Sequence, residues 1–166
     1  MSAEPIHVYA LLDTSASMVG APIEALKQGL HLLCATFIAR SQRPVQVGLI
    51  AYESAAHSIT KLADVNEFEM PSLDAAGSSA LGGAFRLLGA TMPDHDPTLV
   101  YIFTDGEPTD DWDPALAALR PRVQKIFGVL CGPSADSTSL DARLDKLFRV
   151  RELTPDLLSE TFRSFA

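Results

Sequence analysis

Five side chains with oxygen donors fall into three short polar segments. Asp13, Ser15 and Ser17 lie in Asp13-Thr14-Ser15-Ala16-Ser17, Ser79 lies in Gly77-Ser78-Ser79-Ala80-Leu81-Gly82, and Asp105 stands near the head of the run TDGEPTDDW at 104–112. None of the five offers a thiolate or an imidazole, so the set suits a hard cation such as Mg²⁺, Mn²⁺ or Ca²⁺. The i, i+2, i+4 spacing of the first segment lets a curved turn aim three oxygens at one point. Serine hydroxyls orient an ion without cancelling its charge. An ion held by hydroxyls and few carboxylates stays electrophilic and favours a carboxylate brought from outside. The same residues also suit simpler roles. Ser15 and Ser17 are common in turns and caps, Ser78 or Ser79 suits the N-cap of a helix from Ala80, and Asp105-Gly106 suits a turn after a strand. Glu107, Asp110 and Asp111 form an acidic rim, ordinarily a solvated loop, with Asp110 or Asp111 favouring a helix N-terminus.

These segments must be held by the elements around them. The run IHVYALL at 6–12 is nearly continuous in apolar residues, as in a strand buried on both faces. Pro22 suits the first turn of a helix, and Ile23, Leu26, Leu30, Leu33 and Phe37 then recur at spacings of three and four, marking one buried helical face. Strands are predicted over 44–52, 56–62, 98–104, 123–131 and 148–152, the second joined to the first by a hairpin-type link. Helices are predicted over 80–90, 111–119, 140–147 and 155–165, and 71–77 is irregular. Strands alternating with helices predict an α/β fold, a Rossmann-like, doubly wound and mostly parallel sheet with helices on both faces and one antiparallel edge strand. Ligands in such folds bind outside the carboxyl ends of the strands.

The chain of 166 residues has the size of one domain, expected to span 1–166. Its formal net charge of −8 argues against a nucleic-acid backbone binder. The two cysteines, Cys34 and Cys131, form no CxxC pair and are expected as buried free thiols. No signal peptide or membrane span is evident, so a cytoplasmic protein without membrane association is expected. The four histidines lack metal-ligand spacing, and no phosphate-binding loop, dinucleotide fingerprint or nucleophile elbow is present.

DTSAS, GSSALG and IFTDG resemble, in order, the three segments of the metal-ion-dependent adhesion site of von Willebrand factor type A domains. The resemblance implies the von Willebrand A fold and a non-enzymatic protein-binding module. Asp13, Ser15, Ser17, Ser79 and Asp105 are then the metal set, and a partner Asp or Glu completes the coordination. Ser79 stands where the family has Thr; the hydroxyl is kept and a rotamer-restricting methyl is lost. The stretches IFTDGEPTDDW, DTSASM and GAPIEALKQGL further resemble bacterial TerY-type tellurite-resistance and stress proteins, which implies a protein kinase and a metal-dependent serine/threonine phosphatase as partners. The rival reading is a Mg²⁺-dependent phosphotransferase or phosphohydrolase using Asp13. Against it, such enzymes often place a second carboxylate where Ser15 stands, and no lysine lies in the three loops.

Overall fold

The computed structural model describes residues 4–106, 108–132, 135 and 138–165. Six strands form one sheet: β1 (Ile6–Asp13), β2 (Val45–Tyr52), β3 (Ala56–Asp64), β4 (Thr98–Thr104), β5 (Lys125–Leu130) and β6 (Lys146–Arg149), in the order β3-β2-β1-β4-β5-β6. All neighbours are parallel except β2 and β3. β3 is the expected antiparallel edge strand. It is mostly exposed and its register against β2 slips twice, irregularities that blunt an open edge.

The helices are α1 (Ala21–Arg40), α2 (Leu81–Thr91), α3 (Asp113–Leu119), α4 (Thr138–Asp141) and α5 (Pro155–Phe162). Every residue of β1 and β4 is buried, because α1 and α5 cover one face of the sheet and α2 and α3 the other. Alternation along the strands divides the core. Val8, Ala10 and Leu12 meet α1 together with Tyr101 and Phe103, whereas Tyr9 and Leu11 meet α2 together with Val100 and Ile102. All five stripe residues of α1 are buried. Gly29 lets α1 sit close to β4: a Cβ there would lie 3.1 Å from Phe103 Cε2.

The sequence reading fails between residues 138 and 152, although the helix it placed over 155–165 is found as α5. In place of a helix over 140–147, α4 spans only Thr138–Asp141, and Lys146–Arg149 pairs in parallel with β5. Leu140, Leu144 and Leu147 have helical spacing, but Leu144 and Leu147 reach over Gly128 of β5, where a Cβ would meet their Cδ1 atoms at 2.8 and 2.5 Å. The missing side chain on β5 makes the groove they fill. Val150–Glu152 is a 3-10 turn rather than the end of a strand. Cys34 and Cys131 are buried free thiols as expected. Among the described residues, no helix is long and apolar enough to cross a membrane.

Candidate metal centre

β1 ends on Asp13 and β4 on Thr104, and these two parallel strands are adjacent. From β1 the sheet extends one way through β2 and β3, and from β4 the other way through β5 and β6. The carboxyl ends of β1 and β4 therefore form the switch point of the doubly wound sheet, where loops diverge and ligands bind.

Asp13 is fully buried there. Its Oδ1 accepts the Ser15 amide at 2.9 Å. Its Oδ2 accepts the Thr104 hydroxyl at 2.6 Å and the Ser79 hydroxyl at 3.1 Å. Ser15 Oγ lies 3.3 Å from Ser17 Oγ. Asp105 is half-buried, with the Ser17 hydroxyl against its carboxyl. Burial pushes its carboxyl above the usual range, the Ser17 hydroxyl opposes the rise, and the charge of Asp13 adds to it. All five residues singled out from the sequence thus converge on one place. Among the described residues, neither carboxylate has a Lys, Arg or His ion-pair partner. Among the described residues, no three or more His, Cys, Asp or Glu side chains cluster as a metal site. The donor set here is two carboxylates and several hydroxyls.

Local structure explains why the hydroxyls are available. Ser15 precedes a 3-10 turn, Ala16–Met18, but its side chain makes no capping hydrogen bond. The first loop is pinned to the second by backbone pairs, Ala16 N to Gly77 O and Ala76 N to Thr14 O, both 2.9 Å. Gly77 has φ of +80°, and a Cβ there would lie 2.7 Å from Ser54 Oγ. That turn requires glycine on both counts.

The second and third loops correct the sequence reading. Neither Ser78 nor Ser79 caps α2. Ala80 occupies the N-cap position and supplies no side-chain bond. Asp110 caps the helix from the third loop instead, its Oδ1 accepting Gly82 N at 3.0 Å and its Oδ2 accepting Gly83 N at 3.1 Å. Arg86 lies 3.6 Å from the same carboxylate. Asp110 is therefore not part of a solvated acidic rim, and Glu107 of that rim lies outside the described residues. With the cap supplied from elsewhere, the Ser79 hydroxyl is left for Asp13. Thr109 fixes the Ser79 backbone: its Oγ1 accepts Ser79 N at 3.0 Å and its amide donates to Ser79 O at 2.7 Å. Sequence reasoning missed Thr104 and Thr109, and it gave Asp110 a helix N-terminus without identifying that helix as α2. Thr104 carried a signal, since it is the last residue of a strand whose successor was already a candidate ligand. Thr109 carried none, and nothing marked α2 as the helix that Asp110 caps, because their partners are about 30 residues away in the chain.

The residues around the site suit a divalent cation by donor chemistry: oxygen only, with two uncompensated carboxylates facing a set of neutral hydroxyls. His7 and His95 stack on each other near the start of β1, at the other end of the strand, with ring centroids 3.6 Å apart.

Comparison with known proteins gives the same architecture. A von Willebrand factor type A domain from Catenulispora acidiphila superposes with a TM-score of 0.63 at 19% identity, over 98% of this chain and 42% of that one. Proximal thread matrix protein 1 from the mussel byssus gives a TM-score of 0.66 at 14% identity, over 98% and 45%. The conserved hypothetical protein BatB from Bacteroides thetaiotaomicron gives 0.61 at 15% identity, over 95% and 96%. The chain thus spans less than half the length of the first two and nearly all of the third, and at these identities the likeness concerns the fold. No curated protein matches the sequence. The model of the von Willebrand factor type A domain matches residues 8–107, from the first strand through Asp105. With that match over more than half its length, the chain belongs to the von Willebrand factor type A family, whose domains serve as protein-interaction and adhesion modules.

Proposed function

We propose that Asp13, Ser15, Ser17, Ser79 and Asp105 form a metal-ion-dependent adhesion site. It holds Mg²⁺, or Mn²⁺ or Ca²⁺ in its place, and presents the ion to an Asp or Glu of a protein partner. One observation carries the reading. Asp13 is fully buried beside a second carboxylate whose protonation it favours, with hydroxyls around them and no ion-pair partner for either among the described residues. Hydrogen bonds offset part of the cost of burying two neighbouring carboxylates, and a bound cation would offset the charge that no basic side chain meets. The bound ion would supply a Lewis-acidic contact for the partner's carboxylate. The protein's part is to aim the hydroxyls, keep Asp13 dry and shape the rim through the third loop.

The similarity of IFTDGEPTDDW, DTSASM and GAPIEALKQGL to TerY-type proteins supports a narrower version: a cytoplasmic module of a bacterial tellurite-resistance or stress system, with a protein kinase and a metal-dependent phosphatase as partners. The rival reading of Asp13 as a phosphoryl-transfer nucleophile is opposed by its environment. Ser15 stands where such enzymes often place a second carboxylate, and the three loops hold no lysine to stabilise a transferring phosphoryl group.

Titration calorimetry and thermal unfolding with Mg²⁺ and Mn²⁺ test the proposal. Binding to the folded state alone adds about 2.7 kcal/mol of stability at a hundredfold excess over Kd. The midpoint is expected to rise with either ion, and Asp13→Ala is expected to abolish the rise while the protein stays folded in EDTA. Ser79→Thr keeps the hydroxyl and is expected to bind as tightly or more so. A midpoint indifferent to millimolar Mg²⁺ and Mn²⁺ would remove the metal reading. Turnover of a phosphoester panel that Asp13→Asn abolishes would favour the enzyme instead.

A further inference from the structure

Tyr52 ends β2 and sits beside Asp13 in the parallel register of β1 and β2. Its backbone carbonyl already serves the first loop, accepting Thr14 N at 2.8 Å and Thr14 Oγ1 at 3.1 Å. Its side chain is fully buried on the sheet face shared with Leu11, Ile50 and Leu81. The hydroxyl lies among Asp13, Thr104 and Ser79. Burial pushes its pKa well above the ordinary value and the Asp13 charge adds to this, while the Thr104 and Ser79 hydroxyls oppose the rise. Yet the hydroxyl is buried and has no hydrogen-bond partner.

A buried hydroxyl without a partner is a net cost to the fold. Phenylalanine would fill nearly the same volume without it. The cost is offset if the neighbours change partners. At present Thr104 and Ser79 both direct their protons to Asp13 Oδ2. A cation engaging Asp13 and the Ser79 oxygen competes for those lone pairs, and hydroxyls that lose Asp13 as acceptor need another. The Tyr52 oxygen is a buried acceptor beside them that is not already engaged.

We propose that Tyr52 is a positioning residue of the site, its hydroxyl completing the hydrogen bonding of Ser79 and Thr104 behind Asp13 when a divalent cation is held in front. This rests on the cation reading above. The test is Tyr52→Phe in the full chain, with Mn²⁺ affinity measured by calorimetry and thermal unfolding followed in EDTA. Loss of one neutral hydrogen bond present only in the loaded state predicts an affinity weakened about fivefold. The EDTA midpoint is expected to hold or rise, because the unpartnered hydroxyl is gone. In a Ser79→Ala background the same change is expected to weaken binding less, since its hydrogen-bonding neighbour is absent. Unchanged Mn²⁺ affinity in Tyr52→Phe overturns the positioning role and leaves the cation reading standing. So does an affinity loss of equal size with and without Ser79, or a fall in the EDTA midpoint that accounts for the loss. Absence of Mn²⁺ binding by the unsubstituted protein overturns both.

Discussion

The Asp110 cap offers the sharpest test of how the loops are built. Asp110→Ala removes both acceptors from the first turn of α2. A side-chain cap is worth about 0.5–2 kcal/mol, and an ionised acceptor with two amides at 3.0 and 3.1 Å belongs at the upper end. A loss of about 2 kcal/mol is therefore expected, or a fall in thermal midpoint of about 4–8 °C for a chain of this size. Asp110→Asn keeps one carbonyl oxygen of the two acceptors and should lose roughly half as much. Arg86→Ala should matter little, because its side chain is 62% exposed and such pairs are worth about 1 kcal/mol or less. The glycines beneath the cap sharpen the test. A Cβ on Gly82 would lie 2.8 Å from Asp110 Oδ2 and 3.0 Å from the Trp112 Cα, whereas one on Gly83 meets nothing nearer than Arg86 Nη2 at 3.9 Å. Alanine ordinarily stabilises a helix over glycine by about 0.5–1 kcal/mol. Gly83→Ala should approach that gain, and Gly82→Ala should destabilise despite it. Urea denaturation at constant m would measure all five variants. A loss under about 0.5 kcal/mol for Asp110→Ala, or equal effects of the two alanines, would refute the reasoning.

Two further outcomes follow from charge. Asp105→Asn removes a carboxylate whose ionised form burial, and then the Asp13 charge, disfavour. The metal-free protein should become more stable while Mn²⁺ affinity falls, and thermal scans with EDTA and with Mn²⁺ would show opposite shifts. His7 gives a pH dependence. Burial, and then the neighbouring His95, lower its pKa below the ordinary 6.5, with Glu4 opposing. The unfolded chain therefore takes up a proton first, so stability contributed by neutral His7 is present above pH 6.5 and declines as pH falls from there through the lowered folded value. Urea midpoints between pH 7.5 and 5 should show this decline, and His7→Phe should flatten it; an unaltered slope in the variant would assign the effect elsewhere.

Much of the molecule was legible in the sequence because it rests on short-range chemistry. Continuous apolar runs over 6–12 and 98–104 identify strands buried on both faces, and the Ile23 to Phe37 stripe identifies α1, since periodicity reports burial directly. The oxygen-only composition of the three loops indicates the class of ligand, and their positions after strands or before a helix place them at one end of a doubly wound sheet. Tertiary structure decided the rest. Only the strand order, with β4 against β1, brings Thr104 and Asp105 to Asp13. Only the approach of the third loop gives α2 its cap from Asp110 and so leaves the Ser79 hydroxyl for Asp13. The leucines after residue 140 have helical spacing, and it is the groove over Gly128 that draws the following segment into the sheet as β6. Tyr52 reads in sequence as one more apolar residue of a strand. That its hydroxyl neighbours Asp13, Ser79 and Thr104 depends on register between strands, which local propensity does not encode.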